Sequence, residues 1–432
     1  MSPLSGGYKY ELFMLPKAID PNLITLPANL KSVTTIANEV SPQFVGLTNA
    51  DITALWEKIE CLYSTRVHPG VSIAIRYKGE LILDRAIGHA RGNGPKDSVN
   101  TEKALLTPET PVCLFSASKG LTAMLVHQLA AEGKIDLESP VVNYIPEFAR
   151  KGKSKITVAH VLSHRAGIPY IEQDTPDPSL LNDWDAVMEV IYDTKPRYKA
   201  GKKQAYHAIS GGFILGEILR RVTGKELKDL YKERLQAPLG ARYLTLGLEP
   251  DEHKNVALNY ATGIPTPYPM SKLVARALGG SFDMVSETSN TADFMNADVP
   301  AGNIYATAKE CVDFYQVLLN DGITADGTRM FDSAAITRAT TPIPGRHIDR
   351  TLVAPIRMSE GMMLGDSPVG LYGQSTQDAF GHLGFLNIFC WADPSRDISV
   401  SILSTGKAII APHMPSLINL LREINSRFPA NA

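Results

Sequence analysis

The chain has 432 residues, of which 44% are apolar and 20% are charged, and its formal net charge at pH 7 is -2. This balance is that of an ordinary globular protein with enough apolar material for a buried core, which excludes an intrinsically disordered chain. Nucleic acid is not expected as a partner, because there is no surplus of lysine and arginine to neutralise a phosphate backbone. No window approaches the roughly 20 apolar residues that span a bilayer, so no membrane partner is expected.

Cysteine spacing and the first residues of the chain bear on cofactors and location. The four cysteines are scattered and form no C-x-x-C pair: Cys61, Cys113, Cys311 and Cys390. This pattern predicts neither a zinc site nor a disulfide framework. No metal and no cofactor are expected. Residues 1–16 lack a basic start followed by a continuous apolar stretch, which favours a cytoplasmic location, although a signal peptide already removed would leave no trace.

Residues 1–48 contain many proline and asparagine residues and little periodicity, which predicts an irregular N-terminal arm. From residue 49 onward, apolar periodicities of 3.6 and 2 residues predict regular elements. In chain order these are a helix over 53–63, strands over 71–77 and 81–87, helices over 121–132, 158–163, 185–192, 211–223 and 308–319, strands over 388–392 and 398–403, and a helix over 415–428.

Strands near both ends with helices between them predict an α/β (α+β) fold, in which one antiparallel sheet is built from both chain ends and flanked by helices. The α/β domain is expected to comprise residues 49–115 and 300–432. Residues 116–299 are expected to form a mostly helical domain. The active site should lie at the seam, because clefts favour domain boundaries.

The sharpest motif is Ser-x-x-Lys at Ser116 and Lys119, followed at once by the predicted helix over 121–132. Positions i and i+3 share one face of a helix, so Ser116 can contact Lys119 whereas Ser118 points elsewhere. An amine beside a serine at a helix N-terminus can accept the hydroxyl proton and activate a nucleophile. The plain alternative is a serine that only caps the helix.

The same pattern occurs again at Ser404 and Lys407. Here it ends a predicted strand and is followed by a turn, so the two side chains share no helical face. We therefore assign no chemistry to this second copy.

Two further segments carry candidate groups. Tyr206 lies just before the helix over 211–223, where its hydroxyl can project into a cleft, and nearby ammonium groups are expected to lower its pKa toward that of a general base. His382 and Gly384 precede the strand over 388–392, where glycine lets an edge strand approach a substrate and offer an N–H to an oxyanion. A half-buried tyrosine and a tight strand entry are the alternatives without chemistry.

In this order, Ser-x-x-Lys, Tyr and His-x-Gly resemble the three-motif layout of serine β-lactamases and penicillin-binding proteins, and most of all the family VIII carboxylesterases, which share the class C β-lactamase fold. The resemblance implies a β-lactamase/transpeptidase-like fold. It also implies that Ser116 is the acylated nucleophile and that Lys119 and Tyr206 share the proton transfers. The oxyanion would be held by the backbone N–H groups of Ser116 and Phe385.

The chain departs from the β-lactamase pattern at two positions. Ala208 replaces an asparagine that orients a lactam side chain, and His382 replaces a lysine that binds the lactam carboxylate. Ester hydrolysis needs neither group. By analogy with relatives, Tyr170 is expected to line the acyl pocket, and His382 and Gly384 of the third motif are expected to contact substrate. His164 is expected to brace a loop beneath the site.

The sequence therefore predicts a serine carboxylesterase that hydrolyses short-chain carboxylic esters through an acyl-enzyme on Ser116, with a small-molecule ester as its partner. The oligomeric state stays open. Alternatives with the same machinery are a β-lactamase, a D,D-peptidase, an amidase or an acyl transferase. An alternative of another class is a non-catalytic binding protein of the same fold.

Overall fold

The computed structural model describes residues 22–171, 178–409 and 411–430, so residues 1–21 of the predicted arm lie outside the described residues. The β-strands are, in chain order, β1 Thr34–Ile36, β2 Gly70–Tyr77, β3 Glu80–Arg91, β4 Ala104–Leu105, β5 Val112–Cys113, β6 Thr245–Leu246, β7 Tyr260–Ala261, β8 Ile304–Ala306, β9 Ile348–Asp349, β10 Ala354–Pro355, β11 Met363–Leu364, β12 Val369–Gly370, β13 Gly373–Gln374, β14 Phe380–Gly384, β15 Ile388–Asp393, β16 Ile398–Ser404 and β17 Gly406–Lys407. The α-helices are α1 Asn49–Ser64, α2 Ser118–Ala131, α3 Val158–Leu162, α4 Trp184–Asp193, α5 Ser210–Thr223, α6 Leu227–Tyr231, α7 Met270–Leu278, α8 Phe282–Thr288, α9 Ala292–Asn296, α10 Ala308–Leu319, α11 Ser333–Thr340 and α12 His413–Arg427.

The largest sheet is antiparallel and joins the two ends of the chain. Its strand order is β1-β3-β2-β16-β15-β14-β11, and β4 pairs with β3 beside this path. The N-terminal hairpin meets the C-terminal one where β2 pairs with β16, with Ile73 opposite Ile402. The predicted fold class, with one antiparallel sheet built from both ends, is confirmed.

The alternation of side chains along β2 explains how both faces of this sheet are covered. Val71, Ile73 and Ile75 are buried in an apolar cluster with residues of α1 and α12, which pack against each other on this face. Between them, Ala74 belongs to the cluster on the opposite face, where α10 crosses the sheet. Small side chains on that face let α10 pack closely, and the Ser399 hydroxyl donates a hydrogen bond to the carbonyl of Val312 on α10 (3.1 Å).

Residues 116–299 contain helices α2 to α9, with the short strands β6 and β7 between them. One buried apolar cluster runs from the face of the sheet into α2 and α5. The helical part therefore shares a core with the sheet, and the boundaries given for the domains stay a prediction. No helix in the described part of the chain is long and apolar enough to cross a bilayer.

The described part of the N-terminal arm, residues 22–48, is not wholly irregular. Its strand β1 pairs with β3 at the edge of the large sheet, with Thr35 opposite Ala86. A strand of three residues is too short to leave a recognisable alternation in the sequence.

Candidate active site

Ser116 lies where the chain enters α2 from the short strand β5. A 3₁₀ turn over Phe115–Ala117 leads directly into the helix, and residues three apart are eclipsed in such a turn. The Lys119 Nζ therefore reaches the Ser116 Oγ and donates a hydrogen bond to it (3.0 Å). The neighbouring Ser118 is buried, and its Oγ accepts the backbone N–H of Ile304 (3.1 Å). Ser116 is thus the serine of this segment that faces the lysine.

Lys119 is nearly buried, with 8% of its surface exposed. Besides Ser116 its Nζ contacts the carbonyl oxygen of Ala301 (2.9 Å), and no carboxylate forms an ion pair with it among the described residues. Burial without a counter-charge disfavours the ammonium form and lowers the pKa of Lys119 to about 7. A neutral amine that can accept a proton is therefore well populated near neutral pH.

Tyr206 is held beside the same serine by the loop that precedes α5. Its hydroxyl interacts with the Ser116 side chain, and the Lys119 Nζ lies 5.0 Å from the centroid of its ring. Burial raises the pKa of Tyr206, and the charge of Asp349 raises it further. The expectation that nearby ammonium groups lower this pKa is wrong, because burial of the phenol is the largest effect and disfavours the phenolate. The phenol therefore stays protonated at neutral pH.

Two buried histidines support the tyrosine loop. The backbone N–H of His207 donates to the Nδ1 of His164 (3.0 Å), and the N–H of Ile168 donates to the Nε2 of His207 (3.2 Å). The His164 ring lies 4.6 Å from the ring of Tyr206. Burial lowers the pKa of His207 to about 3 and that of His164 well below its ordinary value, so both rings are neutral. The prediction that His164 braces a loop beneath the site is confirmed.

Strand β14 brings the third motif against the serine segment. A Cβ at Gly384 would lie 2.1 Å from the carbonyl oxygen of Leu114, so only glycine allows this approach. The next residue, Phe385, has a φ of +44°, and within the described residues its N–H has no hydrogen-bond acceptor. The N–H of Ser116 lies in the first turn of a helix, where such groups have no partner inside the helix. Their shared role as an oxyanion hole stays a prediction.

His382 is buried on β14, with its ring 6.1 Å from that of Tyr206. Its Nδ1 lies 2.7 Å from the Leu383 carbonyl, which can only accept, so the proton is on Nδ1 and Nε2 is an acceptor. This buried Nε2 has no partner in the part of the chain that the structure describes. Burial and the neighbouring Lys119 lower the pKa of His382 to about 3, so the ring is neutral.

Tyr170 is half-buried at the end of the described segment 22–171. Two guanidinium groups lie over its ring, that of Arg276 at 4.6 Å and that of Arg197 at 5.3 Å from the centroid. Arg276 belongs to α7, so Tyr170 is in contact with the α7–α8 segment. Its place in the substrate pocket stays a prediction, as do the substrate contacts of His382 and Gly384.

Sequence reasoning missed three groups that hold the site together. The Asp349 carboxylate accepts the N–H groups of Tyr206 (3.1 Å) and of Thr351 and Leu352 (2.9 Å each), and thereby fixes the tyrosine loop. The other two are the Ala301 carbonyl and His207. Asp349 is the last residue of the two-residue strand β9, in a segment without any motif, and a carbonyl leaves no mark in a sequence. Within the described residues, no three His, Cys, Asp or Glu side chains are grouped as they are in a metal site.

An antiparallel sheet flanked by helices, with a serine that is hydrogen-bonded to a lysine and lies beside a tyrosine, defines the serine hydrolases of β-lactamase-like fold. Residues 50–415 match the Beta-lactamase family, and the chain belongs to this family of serine hydrolases. The predicted family resemblance is thereby confirmed.

Individual relatives agree with this assignment. The chain is 31% identical to the esterase/beta-lactamase LipL of Mycobacterium tuberculosis (strain ATCC 25618 / H37Rv) over 67% of its own length and 68% of that protein. A penicillin-binding protein homolog from Caulobacter crescentus superimposes with a TM-score of 0.75 at 28% identity, covering 88% of this chain and 99% of that one. A family VIII carboxylesterase superimposes with a TM-score of 0.73 at 27% identity, covering 87% and 98%.

Proposed function

We propose that this protein is a serine carboxylesterase that hydrolyses short-chain carboxylic esters through an acyl-enzyme on Ser116. The observation that carries the proposal is the hydroxyl of Ser116, which is hydrogen-bonded to the amine of Lys119 (3.0 Å) and interacts with the phenol of Tyr206. A nucleophile with one proton acceptor and one proton donor in contact is the minimum needed for acyl transfer.

Acylation begins when the neutral Lys119 amine takes the Ser116 proton as the Oγ attacks the ester carbonyl carbon. The carbonyl oxygen becomes an oxyanion that accepts hydrogen bonds from the N–H groups of Ser116 and Phe385. The intermediate collapses as the carbon–oxygen bond to the alcohol breaks, and Tyr206 donates its proton to the departing oxygen. The Lys119 ammonium then returns a proton to the phenolate, which leaves a neutral amine and an acyl-serine.

Deacylation repeats these steps with water in place of the serine. The water oxygen attacks the acyl carbon while Lys119, through Tyr206, takes its proton. The bond to Ser116 Oγ then breaks, and the serine regains a proton from the same pair. The acid and the enzyme are released in their starting protonation states. The raised pKa of Tyr206 supports its role as donor, and the lowered pKa of Lys119 supports its role as first acceptor.

Substrate class follows from the charge of the site. LipL is named as both an esterase and a beta-lactamase. In this chain, however, a neutral His382 stands at the position where β-lactamases carry a lysine, and Ala208 stands in place of asparagine. Without that cation a β-lactam carboxylate is bound less well, whereas the binding of a neutral ester is not weakened. Ester hydrolysis is therefore the proposed main activity.

Intact-protein mass spectrometry during turnover of p-nitrophenyl butyrate tests nucleophile and substrate together. We expect a single butyryl adduct that peptide mapping places on Ser116, and p-nitrophenyl butyrate turnover much faster than that of nitrocefin. An adduct elsewhere would remove Ser116 from the mechanism, and faster nitrocefin turnover would make the protein a β-lactamase. Absence of labelling by both the ester and a fluorophosphonate would indicate a non-catalytic binding protein.

A further inference from the structure

Two bulky residues beside the reaction centre have left-handed backbone conformations. Phe115, which immediately precedes Ser116, has a φ of +46°, and Phe385 has a φ of +44°. For a side chain of this size a positive φ is strained, at about 1–3 kcal/mol for each residue. Such a conformation persists only where the surrounding structure enforces it.

The rings of these two residues stack on each other. Their centroids are 4.9 Å apart, with an angle of 21° between the ring planes, and both side chains are buried. A third ring continues the stack, because Phe282 lies parallel to Phe385 with a centroid distance of 4.5 Å and an angle of 9°. Stacked aromatic pairs contribute about 0.5–1.5 kcal/mol each beyond the area that they bury. We call Phe115, Phe385 and Phe282 the aromatic stack.

The aromatic stack connects three separate segments of the chain. Phe115 belongs to the turn that carries Ser116, and Phe385 belongs to the turn after β14. Phe282 is the first residue of α8, in the segment that also contacts Tyr170 through Arg276. Of the three rings, Phe282 alone comes from outside the two segments whose backbone N–H groups are proposed as oxyanion donors. It can therefore be changed without altering either of those segments.

Ring position at Phe385 is coupled to the direction of its backbone N–H. If the left-handed conformation relaxed, rotation about the N–Cα bond would turn the peptide plane that carries this N–H. An oxyanion-hole donor must lie within hydrogen-bond distance of the developing charge, and a displacement of about 1 Å lowers the rate on the order of 100-fold. A contact that holds the ring thus acts on the rate of the chemical step.

We propose that Phe282 is a positioning residue for the oxyanion hole: by stacking on Phe385, it holds the Phe385 N–H in the direction that the reaction requires. This inference rests on the proposed function, since it takes the Phe385 N–H as an oxyanion donor. It also gives the α7–α8 segment a role in catalysis, because that segment supplies the outermost ring of the stack. Phe282 itself does not contact the reacting atoms.

The test compares Phe282→Leu, which keeps an apolar side chain but removes the stacking face, with Phe282→Tyr, which keeps the face. For Phe282→Leu we expect kcat for p-nitrophenyl butyrate to fall about 10- to 100-fold while KM changes less than about threefold. Inhibition by butylboronic acid, whose tetrahedral adduct on Ser116 places an oxygen in the oxyanion hole, should weaken by the same factor as kcat/KM. Phe282→Tyr should keep both kcat and the inhibition by butylboronic acid at their native values.

A matched control is Phe294→Leu, which changes another half-buried phenylalanine, on α9 and outside the aromatic stack. It should leave kcat and boronate inhibition at native values, and thermal melting should show that all variants are folded. A rise in KM alone in Phe282→Leu would make the ring a wall of the substrate pocket and overturn the proposal. Native kcat and boronate affinity would overturn it as well. If the unchanged protein is not labelled on Ser116 by a fluorophosphonate, the proposed function has failed instead.

Discussion

The chain contains the pattern Ser-x-x-Lys twice, and the two copies differ in geometry rather than in composition. In the first, the Lys119 amine contacts the hydroxyl of Ser116 (3.0 Å). In the second, the Lys407 amine contacts the backbone carbonyl of Ser404 (2.5 Å), while the Ser404 hydroxyl donates to the carbonyl of Asn387 (2.5 Å). A helical turn brings side chains three residues apart together, whereas the end of a strand followed by a bend does not.

The two lysines are nevertheless alike in their electrostatics. Lys407 is fully buried, with its Nζ 5.1 Å from the centroid of the Phe115 ring, and burial lowers its pKa to about 7, as it does that of Lys119. A lysine with a lowered pKa therefore does not by itself identify a catalytic site in this protein. What separates the copies is contact with a serine hydroxyl that is still partly exposed. Substitutions at matched positions test this distinction.

The largest expected effect on activity comes from comparing the serines of the two copies. Ser116→Ala should reduce ester hydrolysis to the background rate and abolish fluorophosphonate labelling, because no other hydroxyl in the described structure combines contact with Lys119 and Tyr206. Its melting temperature should stay within a few degrees of the native value. Ser404→Ala should retain native kcat and labelling. Steady-state kinetics and mass spectrometry of both variants check this, and hydrolysis at the native rate by Ser116→Ala would refute the assignment of the nucleophile.

The next largest effect concerns the phenol that only the first copy contacts. Tyr206→Phe should lower kcat on the order of 100-fold or more, as expected for loss of a positioned proton donor. The matched control is Tyr63→Phe, because Tyr63 is also fully buried but lies on α1, away from the serine segment. That variant should keep native kcat. A native kcat in Tyr206→Phe, equal to that of Tyr63→Phe, would exclude Tyr206 from the proton transfers.

How far the sequence predicts this molecule depends on how local the determinant is. The contact between Ser116 and Lys119 follows from residues three apart on one turn, and the sheet follows from alternation within single strands, so both are predictable. The pKa of Tyr206 is not, since it depends on burial and on Asp349, which lies 143 residues away. The stacking of Phe282 on Phe385 is likewise a contact between distant segments. It has no periodic signature in the sequence.

The pH dependence of activity also distinguishes the roles of the two lysines. Below its pKa, Lys119 is protonated and cannot accept the proton of Ser116. For p-nitrophenyl butyrate, kcat/KM should therefore fall about tenfold for each pH unit below about 7 and level off above it. Lys407→Met should keep this limb and its midpoint, because within the described residues the Lys407 amine contacts a backbone carbonyl and no hydroxyl. A kcat/KM that stays constant from about pH 5 to 8 would contradict the role of Lys119 as base.

The smallest effect is on stability and concerns Lys407 alone. Its pKa is lowered from 10.5 in the unfolded chain to about 7 in the folded one, so between these values unfolding takes up a proton. Raising the pH through this window therefore stabilises the native protein, by about 1.4 kcal/mol for each pH unit in the limit of a fully neutral buried amine. Lys407→Met removes the dependence, together with the hydrogen bond to the Ser404 carbonyl. The variant should be the more stable protein near pH 7, and the difference in the free energy of unfolding should shrink as the pH rises.

Above pH 10.5 that difference should change sign, because the unfolded lysine is then mostly neutral, and the native lysine keeps a hydrogen bond to a carbonyl that methionine leaves unpaired. Urea unfolding of both proteins at pH 7, 8.5, 10 and 11 measures this difference. Lys31→Met, at an exposed lysine, is the control and should give a constant difference. A constant difference for Lys407→Met as well would mean that Lys407 keeps its proton when buried. The two lysines would then differ in protonation as well as in geometry, since only Lys119 would have a free lone pair at neutral pH.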